Sequence, residues 1–251
     1  MSRIHIPAAI PAVLGALLAC SAAGPAHGRT PSPAIAAAIA DPARPDADRV
    51  RDANRKPAEV LAFAGIRPGM IVAELGSGGG YYTRILARAV GSRGKVFAIV
   101  TAAQAARPNG LKTLDAIALA YPNVVVVTVS DYAHATLPAK ADLFWTTENY
   151  HDFHNGPTAD IAGLDRAVFG NLKAGGIFYV EDHSAAPGAG LAATSTLHRM
   201  DEDVAKSELR SAGFRLEAEG ASLHNVGDDR SASNSETGHF NTDRFMLRMR
   251  R

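Results

Sequence analysis

From Gly65 onward the chain alternates short apolar runs with stretches of helical spacing. "GMIVAEL" is a first strand, and "YYTRILARAV" places Ile85, Leu86 and Ala89 on one face of a helix. "KVFAIV" reads as a second strand and "LKTLDAIALAY" as a second helix. "NVVVVTVS" is the most β-branched run, which predicts a strand buried on both faces. "ADLFWTTE", "GGIFYVED" and "FRLEAEG" follow as strands, with "DIAGLDRAVFGNL" and "DEDVAKSELRSAG" as the helices between them. The closing "RFMLRMR" is expected to be an edge strand whose arginines are solvated. Repeated β–α units imply an α/β fold with a mainly parallel sheet and helices on both faces. In such sheets ligands lie beyond the carboxyl ends of the strands, where the strand order reverses. There is no internal repeat and no sign of a second domain.

The segments around this alternation carry other signals. "RDANRKPAEVLAFAGI" predicts a helix restarting at Pro57, with Leu61 and Phe63 buried and Gly65 as its stop. Residues 29–48 are rich in Ala and Pro without a sustained period, and read as a linker with a loosely packed leader. The folded domain is therefore expected over 49–251. "GDDRSASNSETGHFNTD", before the last strand, reads as a mobile loop and a candidate lid.

Residues 1–28 resemble a signal peptide: Arg3 precedes an apolar stretch from Ile6 to Ala19, and small residues follow. That stretch falls short of the roughly 20 apolar residues a permanent span needs. "LLAC" resembles a bacterial lipoprotein box ending before Cys20, with Leu17 and Ala19 at its key positions. Cleavage after Ala23 or Gly28 would instead release a soluble protein. The expectation is an exported protein, periplasmic or secreted, either free or held to a membrane through a lipidated Cys20.

Composition narrows the classes further. Apolar residues make up 47% and charged residues 20%, as in a globular protein. A net charge of +1 with no basic block gives no reason to expect nucleic acid as a partner. A single cysteine rules out an intramolecular disulfide.

Gly76, Gly78, Gly79 and Gly80 lie between the first strand and its helix, where glycine lets a ligand approach the backbone. "GSGGG" lacks the Lys-Ser/Thr pair of a P-loop. Glu74 stands two residues before the first glycine, where a carboxylate suits a cationic ligand better than an anion.

"VAELGSGGGYYT" resembles the first motif, E/D-x-G-x-G-x-G, of class I S-adenosyl-L-methionine-dependent methyltransferases. "LPAKADLFWT", "NLKAGGIFYVEDH" and "LRSAGFRLE" resemble that family's later landmarks, in order. The whole is most similar to exported bacterial proteins classed as predicted methyltransferases. The resemblance implies a Rossmann-like class I methyltransferase fold: a seven-stranded, mainly parallel sheet with an antiparallel last strand. It implies S-adenosyl-L-methionine as cofactor. Glu74 would orient the methionine amino group, and Gly76, Gly78 and Gly80 would let the turn lie against the methionine and ribose. Asp131 would accept from the adenine amino group, with Tyr132 packed on the ring; the alternative for Asp131 is a turn or capping residue. One departure stands out. Where the family's second strand ends in an acid that holds the ribose, this chain has Val100 and Thr101, with Gln104 the nearest long polar side chain.

The reaction centre is expected at "TTENYHDFHN", where Glu148, Asn149, His151, Asp152 and His154 crowd the rim. Methyl transfer is an in-line displacement, so the protein positions the acceptor and removes its proton. His151 is the candidate general base, because its ordinary pKa is near neutrality, and Asp152 would orient it. The alternative is that both merely begin the next helix. A metal reading weighs His151, Asp152 and His154 with Asp182 and His183. These residues show neither H-x-x-x-H pairing nor cysteine partners, so no metal is expected. His198 and Arg199 either close over the site or simply precede a helix capped by Asp201. Trp145, Tyr81 and Tyr82 are expected in the core or the pocket wall.

Two functions are compatible with these readings. One is a methyltransferase acting on a small molecule or an exposed protein side chain. The other is an exported non-catalytic binding or envelope protein that keeps the fold.

Overall fold

The computed structural model describes residues 31–238 and 241–251; the expected signal segment and Cys20 lie outside them. Four short helices precede the first strand: α1 (Pro33–Ile39), α2 (Asp46–Arg49), α3 (Asp52–Arg55) and α4 (Pro57–Ala64). The alternation then runs β1 (Ile71–Leu75), α5 (Tyr81–Val90), β2 (Lys95–Thr101), α6 (Ala102–Ala105), α7 (Lys112–Ala120) and β3 (Val124–Val129). It continues through β4 (Ala141–Thr147), α8 (Ile161–Asn171), β5 (Leu172–His183), α9 (Glu202–Ser211), β6 (Arg215–Gly220), α10 (Asn234–Thr237) and β7 (Arg244–Arg250).

The seven strands form one sheet in the order β3-β2-β1-β4-β5-β7-β6. The pairs from β3 across to β5 are parallel, while β7 runs antiparallel to both β5 and β6. The chain winds outward from β1 to β3, then returns to the other side of β1 with β4. The order therefore reverses between β1 and β4, and the crevice opens at their carboxyl ends. Apolar clusters cover both faces. One packs α1, α4 and α5 against the sheet, and the other packs α8 and α9. The mainly parallel, helix-covered sheet expected from the alternation is observed, as is the antiparallel last strand that the resemblance implied.

Two strands exchange their expected environments. The β-branched β3 is an edge strand, mostly half-buried, because sheet order and not side-chain type decides which strand ends the sheet. Conversely, β7 is inserted between β5 and β6, and its arginines are paired instead of solvated. Arg248 and Arg250 flank Glu217 on β6, and Arg244 is 2% exposed beside Glu181 of β5. The α4 helix begins at Pro57 and ends at Gly65 (φ 83°) as expected, with Leu61 fully buried and Phe63 only half-buried. Trp145 stacks between Tyr179 and Tyr82, at centroid distances of 4.4 and 4.9 Å, as a core residue.

The segment expected to be a linker is, from Pro33 onward, part of the fold. Ser32 caps α1, and Ile35 and Ala38 are buried where α1 packs on α5. Arg44, 2% exposed, makes a two-pronged pair with Asp52 at 2.6 and 2.9 Å. Alanine-rich composition hid this, since two buried side chains suffice to dock a seven-residue helix. The loop over 227–243 is likewise anchored among its described residues. Asp228 takes both guanidinium nitrogens of the buried Arg199, and Arg230 reaches Asp243 at 2.7 Å. Nothing among those residues reads as a free lid.

Ile35→Ala removes buried methyl groups from the α1–α5 contact, at a cost of about 2–4 kcal/mol. Urea denaturation of the variant reads this directly. An unchanged midpoint would mean that the segment lies outside the cooperative unit.

Candidate functional site

At the carboxyl ends of β1–β4 lies a cavity of about 650 Å³. That is within the range of roughly 300–1,000 Å³ usual for ligand pockets. Each strand end contributes to its wall: Gly76 after β1, Thr101 and Gln104 after β2, Asp131 and Tyr132 after β3, and Asn149, Asp152 and Phe153 after β4. His134, Arg107, Asp160 and Leu164 are also on the wall.

The glycine turn is shaped as its sequence requires. Gly76, Gly78 and Gly80 have φ of 66°, 51° and 76°, in the left-handed region where a Cβ is unwelcome. A Cβ on Gly76 would also come within 2.9 Å of the Asn149 amide. That approach is used: Asn149 Nδ2 donates to the carbonyls of Gly76 (3.1 Å) and Thr147 (2.6 Å). Asn149 thus staples the β1 turn to the end of β4. Arg84 holds the other side of the turn, donating to the Gly79 carbonyl at 2.9 Å while pairing with Asp48 at 3.0 Å. The N-terminal segment therefore braces the glycine turn.

Glu74 lies beneath the turn instead of on the cavity wall. It is 3% exposed and accepts from Thr83 Oγ1 at 2.6 Å. Burial pushes its pKa up to about 7, against the opposing Thr83 hydrogen bond.

At the end of β2, Val100 is buried, and Thr101 and Gln104 form a capping box on α6. Gln104 Oε1 accepts from the Thr101 amide (2.8 Å) and the Tyr132 hydroxyl (2.9 Å), so the amide links the ends of β2 and β3. Asp131 faces the cavity while capping a single 3-10 turn, where it accepts from the backbone and ring of His134 at 2.9 and 2.7 Å. The His134 bond holds its carboxyl below the ordinary value.

The expected reaction centre divides into three groups. Glu148 turns away from the cavity: it pairs with Arg55, and with Arg244 at 3.0 Å. His154 bonds Glu208 at 3.0 Å, and Asp182 and His183 are fully buried, with His183 Nδ1 within 2.7 Å of Thr242 Oγ1. Asn149 and Asp152 line the cavity, and the buried His151 lies behind Asp152, its Nε2 3.3 Å from Oδ1. His151 is 2% exposed, and its Nδ1 lies 2.8 Å from Asp182 Oδ1. The second Asp182 oxygen accepts the His151 backbone N–H at 2.6 Å.

Burial alone would lower the His151 pKa, but Asp182 and Asp152 overcome it and push the pKa up to about 10. As an imidazolium, His151 has no lone pair with which to take a proton. The geometry thus differs from the expected neutral base oriented by Asp152, because the buried acid at Asp182 was not placed beside the ring by any local spacing. Asp152 is half-exposed, and although burial would raise its pKa, His151 holds it below the ordinary carboxylate value. His198, with φ 52°, brings its Nδ1 within 3.6 Å of Asp152 Oδ1, and Arg199 is committed to Asp228. Asp201 caps α9.

Arg107, Phe153 and Asp160 were not singled out from sequence. Asp160 carried a local signal, as a residue that can cap "IAGL", and does so by accepting from Gly163 N–H at 2.8 Å. Arg107 and Phe153 carried none. The cavity's acids (Asp131, Asp152 and Asp160) outnumber its single arginine, so its field favours a cationic ligand.

The sequence pattern of the protein-L-isoaspartate(D-aspartate) O-methyltransferase family matches residues 47–134, a span that holds β1 to β3, the glycine turn and Asp131. No curated protein matches the chain. Solved structures share its fold. An S-adenosylmethionine-dependent methyltransferase from Aquifex aeolicus has a TM-score of 0.57 at 18% identity, covering 82% of this chain and 93% of that one. One from Mesorhizobium loti has a TM-score of 0.53 at 18% identity, covering 79% and 98%. The cyclase SpnF has a TM-score of 0.58 at 16% identity, covering 82% and 80%. The chain shares the fold of S-adenosylmethionine-dependent methyltransferases. A cyclase on the same scaffold is a reminder that fold alone does not fix the reaction.

Glu74 sets a pH dependence of stability. Its folded pKa of about 7 lies above its ordinary 4.5, so the folded state binds more protons than the unfolded chain between those values. Stability from this group is full below the lower value and is lost as pH rises through about 7. The penalty above that point is of order 3 kcal/mol, at 1.36 kcal/mol per unit. Glu74→Gln keeps an acceptor for Thr83 and is therefore expected to gain stability over the wild type between pH 5 and pH 8. Urea unfolding at the two pH values measures it, and parallel pH trends in both proteins would refute the assignment.

Proposed function

We propose that this protein is a methyltransferase that binds S-adenosylmethionine in the cavity at the ends of β1–β4 and methylates a small molecule or an exposed protein side chain. The observation that carries the proposal is the convergence of four strand ends on one acid-rich cavity, beside a glycine turn with three left-handed residues. The cofactor supplies an electrophilic methyl group on a sulfonium centre. Gly76 exposes its backbone to it, and Asn149 fixes that backbone against β4. Gln104 and Thr101 stand where the ribose acid is usually found, and Asp131 and Tyr132 form the adenine side.

The acidic wall of Asp131, Asp152 and Asp160 favours the cationic ligand through its summed field. Glu74 acts through the turn above it and not by contact, since its carboxylate is engaged with Thr83. On the acceptor side Asp152 offers a carboxylate that stays ionised at neutral pH and can orient a donor group for in-line attack. The same proposal includes export through residues 1–28, the mature chain being either free or lipid-anchored through Cys20. Intact mass of the mature chain would read the cleavage site.

A ligand-binding protein without turnover is the competing reading, favoured by the absence of an acid after β2. Gln104 discriminates. Calorimetric titration with S-adenosylhomocysteine is expected to show binding by the wild type. Gln104→Ala should weaken it about 5- to 15-fold, the value of one or two neutral hydrogen bonds. No binding by folded wild-type protein would sink the cofactor assignment. Binding without methyl transfer to any of a panel of hydroxyl, carboxyl and amine acceptors would favour the competing reading.

A further inference from the structure

We propose that His151, Asp152 and His198 form a binding site for one divalent first-row transition ion, of the Zn²⁺ or Fe²⁺ type, at the wall of the cavity. The inference is independent of the methyltransferase reading.

Three donor atoms, one from each residue, lie within 4.8 Å of one another. Both ring nitrogens converge on the same carboxylate oxygen: His151 Nε2 is 3.3 Å and His198 Nδ1 is 3.6 Å from Asp152 Oδ1. Donors on one such ion, at bond lengths near 2.1 Å, stand about 2.8–3.4 Å apart. The half-exposed Asp152 and His198 side chains can close the remaining difference by rotation. Two histidines and one carboxylate are a donor set for borderline divalent ions, and leave coordination positions open.

The buried half of the cluster is constrained as metal-bound histidines are. Asp182, fully buried, can only accept from His151 Nδ1, which fixes the ring and turns Nε2 toward Asp152. The same carboxylate is itself held by the backbone N–H groups of His151 (2.6 Å) and His183 (2.8 Å). A carboxylate that orients one face of an imidazole whose other face binds metal is a recurrent arrangement. With Nδ1 turned to Asp182, Nε2 is the ring nitrogen directed at Asp152, and an ion bound there takes the place of the Nε2 proton, which is released on binding. His198 supplies a further mark, since its ring reaches the cluster from a left-handed backbone (φ 52°), which ordinary residues seldom adopt. Asp152 also lines the cavity, so a bound ion would stand where a ligand could complete its coordination.

The test uses untagged, chelator-treated full-length protein, titrated with Co²⁺ and followed by its visible absorption, and with Zn²⁺ by calorimetry. One equivalent is expected to bind with a Kd in the micromolar range or tighter. His198→Ala and Asp152→Asn, both at half-exposed positions, should each weaken binding at least 10-fold while leaving the unfolding midpoint near that of the wild type. Asp182→Asn should weaken it 10- to 100-fold. His224→Ala, remote from the cluster, should bind as the wild type does. Absence of a cobalt spectrum in the wild type, or equal affinity in the His198 and Asp152 variants, would overturn the site. Either result leaves the S-adenosylhomocysteine titration unaffected, so the two proposals fail separately.

Discussion

Beneath the site lies a buried chain of alternating charges on which the arrangement above it depends. Arg55 of α3 pairs with Glu148 at the end of β4; Arg244 of β7 bridges Glu148 and Glu181 of β5 at 3.0 and 2.9 Å. Two arginines balance two glutamates, and the second Arg244 nitrogen donates to the Asn54 carbonyl. Burial still pushes the Glu181 pKa up, against the pull of Arg244. Such a network contributes little net stability relative to apolar packing, but losing one member strands the others, at about 3–5 kcal/mol. Its value here is positional. Glu148 sits with φ 55°, and its N–H donates to the Glu181 carbonyl at 2.9 Å, so the chain leaves β4 in a fixed direction. Asn149 follows directly and staples the glycine turn. On the neighbouring strand Asp182 follows Glu181 and orients His151. One ionic layer thus aims both halves of the site.

This network also explains why the N-terminal helices belong to the domain. Arg55 enters the ionic layer, Asp52 receives Arg44 and the Tyr81 hydroxyl (2.6 Å), and Asp48 holds Arg84, which in turn holds the Gly79 carbonyl. Beyond the two apolar side chains that dock α1, charged residues hold this segment to the domain. Hydrophobic periodicity is blind to such contacts, which is why 29–48 reads as a linker while α1 packs on α5 and Asp48 of α2 braces the turn through Arg84.

What was legible in the chain follows a physical division. The order and type of strands and helices are local properties, set by period, caps and glycines, and they appear in the structure nearly as read. Position within the sheet is not local. Four consecutive valines describe a good strand, not a central one, and β3 sits at the edge because the first crossover pair ends there. The arginines of β7 suggest solvent, yet each finds an acid or a backbone carbonyl on a neighbouring segment. The site divides in the same way. The glycine turn and the cavity-lining Asp131, Tyr132, Asn149 and Asp152 were legible because each follows a strand at the switch-point end. The partnerships of His151 with Asp182, and of Asp152 with His198, span 31 and 46 residues, and no spacing rule reaches that far.

The missing acid after β2 takes on a different meaning beside these contacts. A carboxylate there would face Tyr132 and the Asp131 side of the cavity, adding to three acids already on its wall. Gln104 instead accepts from Tyr132 and from the Thr101 backbone with one atom, and ties β2 to β3 without charge. The negative field that a cationic ligand needs is then distributed over the ends of β3 and β4 and the start of α8. Specific hydrogen bonding at β2 is left to a neutral amide and a hydroxyl. The departure is thus a redistribution of charge around the cavity, and the affinity it permits depends on how well that amide is held in place. Its Oε1 is fixed by two donors, so its N–H₂ group is oriented before any ligand arrives, which lowers the ordering cost of binding.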